Sequence, residues 1–297
     1  AIYAKKTGVR KIFIPACNAE EAALVENLEI YPVNNLNEVI NHFSGQKEIE
    51  SYNRRPSQDT EGYDPEIDMN LIKGQEFVKR ALEIAASGGH NILMSGPPGS
   101  GKTLLARSLP SILPKLDRDE SLEVTKIYSI AGMLNNNFIK NRPFRSPHHS
   151  ASSTSLVGGG KFPRPGEISL SHRGVLFLDE FPEFPRGVLE ALRQPLEDGI
   201  VTISRASGTI QFPAAFVLVA SQNPCPCGYS TDPDKECTRT PAQLNSYRKK
   251  ISGPLLDRID LHVEVPRLEF EKLSSEESSE NSQTIRQRVE AARSKQK

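Results

Sequence analysis

Three stretches of the chain are apolar but for an opening Asn91: "NILM" at 91–94, "GVLFL" at 174–178 and "AAFVLVA" at 214–220. Runs of this length, without polar alternation, read as strands covered on both faces, as in a parallel sheet. Between them the apolar residues space out with helical period. "KTLLARSL" at 102–109 reads as a helix with Leu104, Leu105 and Leu109 on one side. Residues 1–44 show a smaller version of the alternation. "AIYAKKTGV" reads as helix, "RKIFIPA" as strand, "AEEAALVENL" as helix, "EIYPV" as strand and "NLNEVINHF" as helix. Residues 45–66 are polar and read as a linker. Long helices and apolar strands occupy 67–267. Residues 268–297 read as a solvated connector followed by the start of a helix. The expected fold is α/β, a three-layer α/β/α core on a parallel sheet behind a small α/β unit.

Composition narrows the classes. Lys plus Arg and Asp plus Glu are equal at 37 each, so charge alone does not announce a nucleic-acid binder and leaves room for a local basic patch. No apolar run approaches the ~18–20 residues of a membrane span, and no signal peptide opens the chain. Four cysteines, three of them clustered, suit a reducing cytoplasm rather than a disulfide scaffold. The chain opens at Ala1 in mid-pattern without a Met, which suggests a piece of a longer protein.

Chemistry concentrates at the strand ends. "GPPGSGKTL" comprises Gly96, Pro97, Pro98, Gly99, Ser100, Gly101, Lys102, Thr103 and Leu104, between a strand and a helix. Glycines let successive backbone N–H groups turn onto a phosphate, Lys102 reaches the β/γ-phosphates, and the Thr103 hydroxyl meets Mg²⁺. The helix N-terminus adds positive potential. The 174–178 run ends in Asp179-Glu180. In parallel sheets ligands sit at the carboxyl ends of strands. Asp179 is therefore expected in the Mg²⁺ shell, and Glu180 as the base that polarises water. The next apolar strand ends at Asn223, whose amide would orient the same water. Arg258, among apolar residues, is either paired with Asp257 or Asp260 or a finger that reaches a neighbouring subunit's phosphates.

Two further segments could meet a substrate. Residues 198–214 read as a hairpin with Arg205 at the tip, a DNA contact or a plain solvated turn. The insert 144–167 carries Lys161 and Arg164, which could meet a phosphate backbone. Its His148-His149 pair reads as exposed loop rather than metal ligand.

Taken together, "GQEFVKRALEIAASGGHNILMSGPPGSGKTLLAR", "NRPFRSPHHSASSTSLVGGG", "PRPGEISLSHRGVLFLDEFPEF", "VLEALRQPLEDGIVTISRASG", "NPCPCGY" and "SGPLLDRIDLHVEVP" resemble the magnesium-chelatase-like AAA+ ATPases of the ComM (YifB) type. The resemblance covers most of residues 72–266. It implies a bacterial P-loop AAA+ core at 67–267, with Lys102 and Thr103 in the Walker A motif and Asp179-Glu180 in Walker B. It makes Asn223 the γ-phosphate sensor and Arg258 the trans-acting finger. It points the hairpin into a ring channel and implies self-assembly into a hexamer with ATP and Mg²⁺. Residues 1–44 resemble the tail of a Lon-protease-like domain, with no catalytic serine to assign. The helical lid that ends such motors would be largely absent, its first helix lying near 283–295 with Arg286, Arg288 and Arg293 unassigned. The implied activity is DNA translocation in branch migration. A protein-remodelling or metal-chelatase motor is the alternative, and a nucleotide-gated scaffold fits the intact site less well.

The resembled family carries C-x-C twice in the loop after Asn223. This chain has Cys225, Cys227 and Cys237, with Arg239 in the fourth place, and arginine cannot ligate. Closed structural zinc sites use four protein ligands. A loop of free thiols is therefore favoured, with zinc on three cysteines the alternative.

Overall fold

The computed structural model describes residues 1–52, 67–134, 138–160, 163–205, 208–230, 235–267 and 280–296. Two compact units emerge: Ala1–Asp64 with Met133–Ile139, and Pro65–Gly132 with Lys140–Lys297.

In the first unit β1 (Lys11–Pro15) and β2 (Glu29–Val33) run parallel, with Ile12 opposite Ile30. Ala19, Ala22 and Ile30 form its small core. The expected helix over "AEEAALVENL" is only one turn, Ala19–Ala22. Leu24 N–H bonds to Glu21 O and Val25 N–H to Ala22 O, a tighter winding that turns both adjacent apolar side chains inward. The helix Leu36–Phe43 is capped by Asn35, whose side chain accepts from Glu38 N.

The second unit holds a five-stranded parallel sheet. Its strands are β3 (Ile92–Ser95), β4 (Phe144–Arg145), β7 (Val175–Leu178), β10 (Val217–Gln222) and β11 (Leu261–Glu264), in the order β11-β3-β10-β7-β4. Two antiparallel pairs lie between them in sequence: β5 (Gly158–Gly159) with β6 (Arg164–Pro165), and the hairpin β8 (Ile200–Arg205) with β9 (Gly208–Pro213).

Period-two alternation divides each central strand between two apolar layers. Ile92, Met94, Val175, Phe177, Val217 and Val219 face one layer. Leu93, Leu176, Leu178, Leu218 and Ala220 face the other. Each large aliphatic side chain so buried stabilises the fold by roughly 1.5–3 kcal/mol. The helices Glu76–Gly88 and Lys102–Ile112 cover the first face through Leu82, Leu105 and Leu109. Leu104 departs from expectation: at 41% exposure it faces solvent, because the helix turns about 100° per residue and the 105/109 pair takes the sheet side.

The C-terminal helix Ser282–Gln296 joins this same layer through Ile285 and Val289. Arg286 donates to Ser111 O, Arg288 to Glu83 and Arg293 to Ala86 O, so all three arginines bind it to the core. Among the described residues no helix is long and apolar enough to cross a membrane.

Candidate functional site

The phosphate loop starts where β3 ends, between two parallel neighbours. Gly96 N–H donates to Gln222 O at the end of β10, and Val265 N–H donates to Ser95 O. A Cβ on Gly96 would stand 2.2 Å from Val265 O, so only glycine fits. Gly99 and Gly101 have φ of +78° and +89°, the left-handed turn that points amides inward. Gln75, itself left-handed at φ 59°, braces the loop by donating to Ser100 O and, at 2.7 Å, to Pro266 O. Sequence reasoning passed over Gln75, because an unusual backbone angle leaves no mark on residue type.

Lys102 opens the following helix and is buried. Its Nζ donates to Gly96 O at 2.7 Å and Pro97 O at 2.9 Å, and lies 3.4 Å from Asn223 Oδ1. Burial lowers its pKa, with the charge of Asp179 opposing. The ammonium is thus only partly compensated, which suits an incoming anion. Thr103 Oγ1 donates to Asp179 Oδ2 at 3.1 Å. Asp179 Oδ1 accepts from Ser221 Oγ and from Glu180 N–H. Hydroxyl and carboxylate together form an all-oxygen pair suited to Mg²⁺, which also relies on water and phosphate oxygens. Lys102, Thr103, Asp179 and Asn223 therefore meet at the carboxyl ends of β3, β7 and β10.

Glu180 follows Asp179 with φ +53°, a strained angle for a glutamate. Its Oε2 lies 3.0 Å from His149 Nδ1. His149 lies in a turn beyond β4, as expected of a loop residue, but is only partly exposed.

Arg258 is held by contacts within its own chain. Its guanidinium pairs with Glu197, and Nη1 donates to Pro254 O at 2.5 Å. The expected alternatives, Asp257 and Asp260, are not its partners among the described residues; Asp260 instead accepts from Asn91 N–H. The reason is direction: the side chain turns toward the helix Arg193–Asp198, which carries Glu197.

The hairpin forms as expected, with Ile203 opposite Ile210. Arg205 pairs through its backbone with Gly208, and its side chain lies outside the described part of the structure, as does Lys161. Arg164 is exposed on β6.

The sulfurs of Cys225, Cys227 and Cys237 converge within 4.8 Å of one another. Burial would raise the Cys225 pKa, but hydrogen bonds from Cys227, Ser230 and Cys237 outweigh it and bring it to about 6. The backbone N–H of Arg239 pulls Cys237 down, yet burial and the neighbouring sulfurs leave it raised. This loop touches the phosphate loop: a Cβ on Gly228, which has φ +87°, would come within 2.6 Å of Pro98.

Residues 68–273 match the family described as "Magnesium chelatase, subunit ChlI". The chain belongs to the magnesium chelatase family. Within it, the Competence protein ComM of Haemophilus influenzae is 44% identical over 293 residues, covering 97% of this chain and 57% of that protein. Protein YifB of Escherichia coli is 44% identical over 298 residues, covering 100% of this chain and 58% of that one. The chain thus spans a little over half the length of these relatives. A cryo-electron-microscopy reconstruction of the BchI–BchD complex of magnesium chelatase is 22% identical with a TM-score of 0.49, covering 78% of this chain and 73% of that one.

Proposed function

We propose that this chain is the ATP-hydrolysing core of a cytoplasmic AAA+ ring motor acting on DNA. The observation that carries the ATPase reading is the meeting of Lys102, Thr103, Asp179 and Asn223 around one phosphate-sized loop. In this reading residues 96–104 cradle the nucleotide and Lys102 meets its β/γ-phosphates. Thr103 and Asp179 hold Mg²⁺, which when bound neutralises charge on the phosphates. Glu180 takes a proton from the attacking water and Asn223 orients it. Arg258 serves the nucleotide of the adjacent subunit in a hexamer, exchanging its Glu197 partner for phosphate. Residues 1–44 are read as the tail of a Lon-like domain.

DNA is favoured as the substrate because the Haemophilus relative is a competence protein, and because Arg164 is exposed. Family membership supports a second reading, a protein-remodelling or chelatase motor. ATP turnover of the intact protein, measured alone and with single-stranded or branched DNA, separates the two. DNA should stimulate turnover. Arg205→Ala should lower that stimulation while sparing basal turnover, and the difference should shrink as salt rises. Unchanged turnover with every DNA form would overturn the DNA reading.

A free-thiol loop is what the sequence favours, but the convergence of the three sulfurs supports the alternative, and we further infer that the cysteine trio takes one zinc ion with the fourth position left to a non-cysteine ligand. Three convergent thiols are the right donors, and their number makes the site weaker than a four-thiolate one. Equilibrium dialysis of chelator-stripped protein should give about one bound zinc, lost in Cys225→Ser. Equal zinc content in the two proteins would refute it.

A further inference from the structure

The three clustered thiols are close enough to react with one another. The Cys227 sulfur lies 3.1 Å from that of Cys225 and 3.5 Å from that of Cys237. Cys225 is buried, whereas Cys227 and Cys237 are partly exposed. A small oxidant from solvent therefore reaches Cys227 and Cys237. A disulfide holds its sulfurs about 2.05 Å apart, so this pair has about 1.5 Å to close.

The loop that carries them is tied to the phosphate loop. It leaves β10 through Asn223, whose Oδ1 lies 3.4 Å from Lys102 Nζ. Gly228 N–H donates to Cys225 O at 2.9 Å, so residues 225–228 form one tight turn. Gly228 ends that turn with φ +87°, and it packs so near Pro98 that a Cβ would stand 2.6 Å from the proline ring. Pro98 follows Pro97, whose carbonyl accepts from Lys102. A displacement of Cys227 is thus passed through its neighbour Gly228 to the loop that Lys102 braces.

We propose that Cys227 and Cys237 form a peroxide-sensitive disulfide that lowers the affinity of the phosphate loop for ATP. One thiolate attacks a peroxide oxygen. The O–O bond breaks, leaving a sulfenic acid and a hydroxide that takes up the thiol's proton as water. The second thiolate attacks the sulfenic sulfur, the S–S bond forms, and the displaced hydroxide leaves as a second water. Two thiols give up two electrons, and one peroxide is reduced to two waters. The new bond draws Cys227 toward Cys237, the turn 225–228 moves with it, and Pro98 loses its backing. The step needs no zinc. Its effect on ATP rests on the reading of residues 96–104 as the nucleotide cradle.

Hydrogen peroxide treatment of the intact, chelator-stripped protein tests it. Peptide mapping should find the Cys227–Cys237 link, and the Kd for ATP should rise about fivefold, the low end of coupling between linked sites. Dithiothreitol should reverse both. Cys237→Ser cannot form the link, so its ATP affinity should match that of the reduced wild-type protein and stay there under peroxide. Thermal melting establishes that the variant folds, and Cys227→Ser should behave alike. Absence of the link overturns the proposal, as does a link that leaves ATP affinity unchanged. So does an equal loss of affinity in the folded serine variants. The parent reading fails differently: the reduced wild-type protein would then not bind ATP at all.

Discussion

Glu180→Gln should stop ATP hydrolysis and keep ATP bound. The change is isosteric and leaves the shape of the β7 end intact. It removes only the ability to accept a proton from water. General-base catalysis is worth roughly 10²- to 10⁴-fold, and the loss should fall in that range. Binding should survive because the groups proposed to meet the phosphates lie elsewhere: Lys102 on its helix and the amides of 96–101. Asp179 keeps its bonds from Thr103 and Ser221, so the Mg²⁺ pair is unaltered. Single-turnover hydrolysis alongside nucleotide-affinity measurement checks both halves. A Gln variant that turns over at the wild-type rate would remove Glu180 from the mechanism.

Lys102→Ala should act on the other half, weakening ATP binding about 100-fold, which corresponds to about 2.7 kcal/mol. Charge-assisted bonds of a buried ammonium to phosphate are worth roughly 1.5–3 kcal/mol each, and those to ATP are lost. The carbonyls of Gly96 and Pro97 also lose their donor, so the free protein should melt somewhat earlier. The decisive readout is therefore the ligand-dependent shift. Saturating ATP should raise the Tm of the wild-type protein and leave that of the variant almost unmoved. An equal rise in both would show that Lys102 does not meet the nucleotide.

Legibility from sequence followed the range of the forces involved. The strands at 92–95, 175–178 and 217–222 were readable because burial on both faces demands unbroken apolar runs. The phosphate loop was readable because its glycines answer a local backbone demand. Leu104 was misplaced because three leucines in six residues do not say which side meets the sheet. The helix at 19–28 was overlong in prediction because its ending depends on where Leu24 and Val25 find a core. Glu197 as partner of Arg258 was invisible, since 61 positions separate them and no periodicity links the two. His149 was read as exposed loop, and its contact with Glu180 was invisible for a similar reason. That contact joins residues 31 positions apart, which only the assembled fold brings together.

The strand order has a consequence for biosynthesis. The loop at 96–103 is made well before the residues that support it. Gly96 hangs on Gln222, and Ser95 on Val265. A ribosome that has exposed the chain through residue 103 but not yet Gln222 and Val265 has therefore made the glycines and the lysine without the walls that shape them. Pairing across such separations is slow, and the unpaired edges of β3 stay open meanwhile. The loop can take its shape only after Val265 has left the exit tunnel, a delay set by topology and not by the position of the motif.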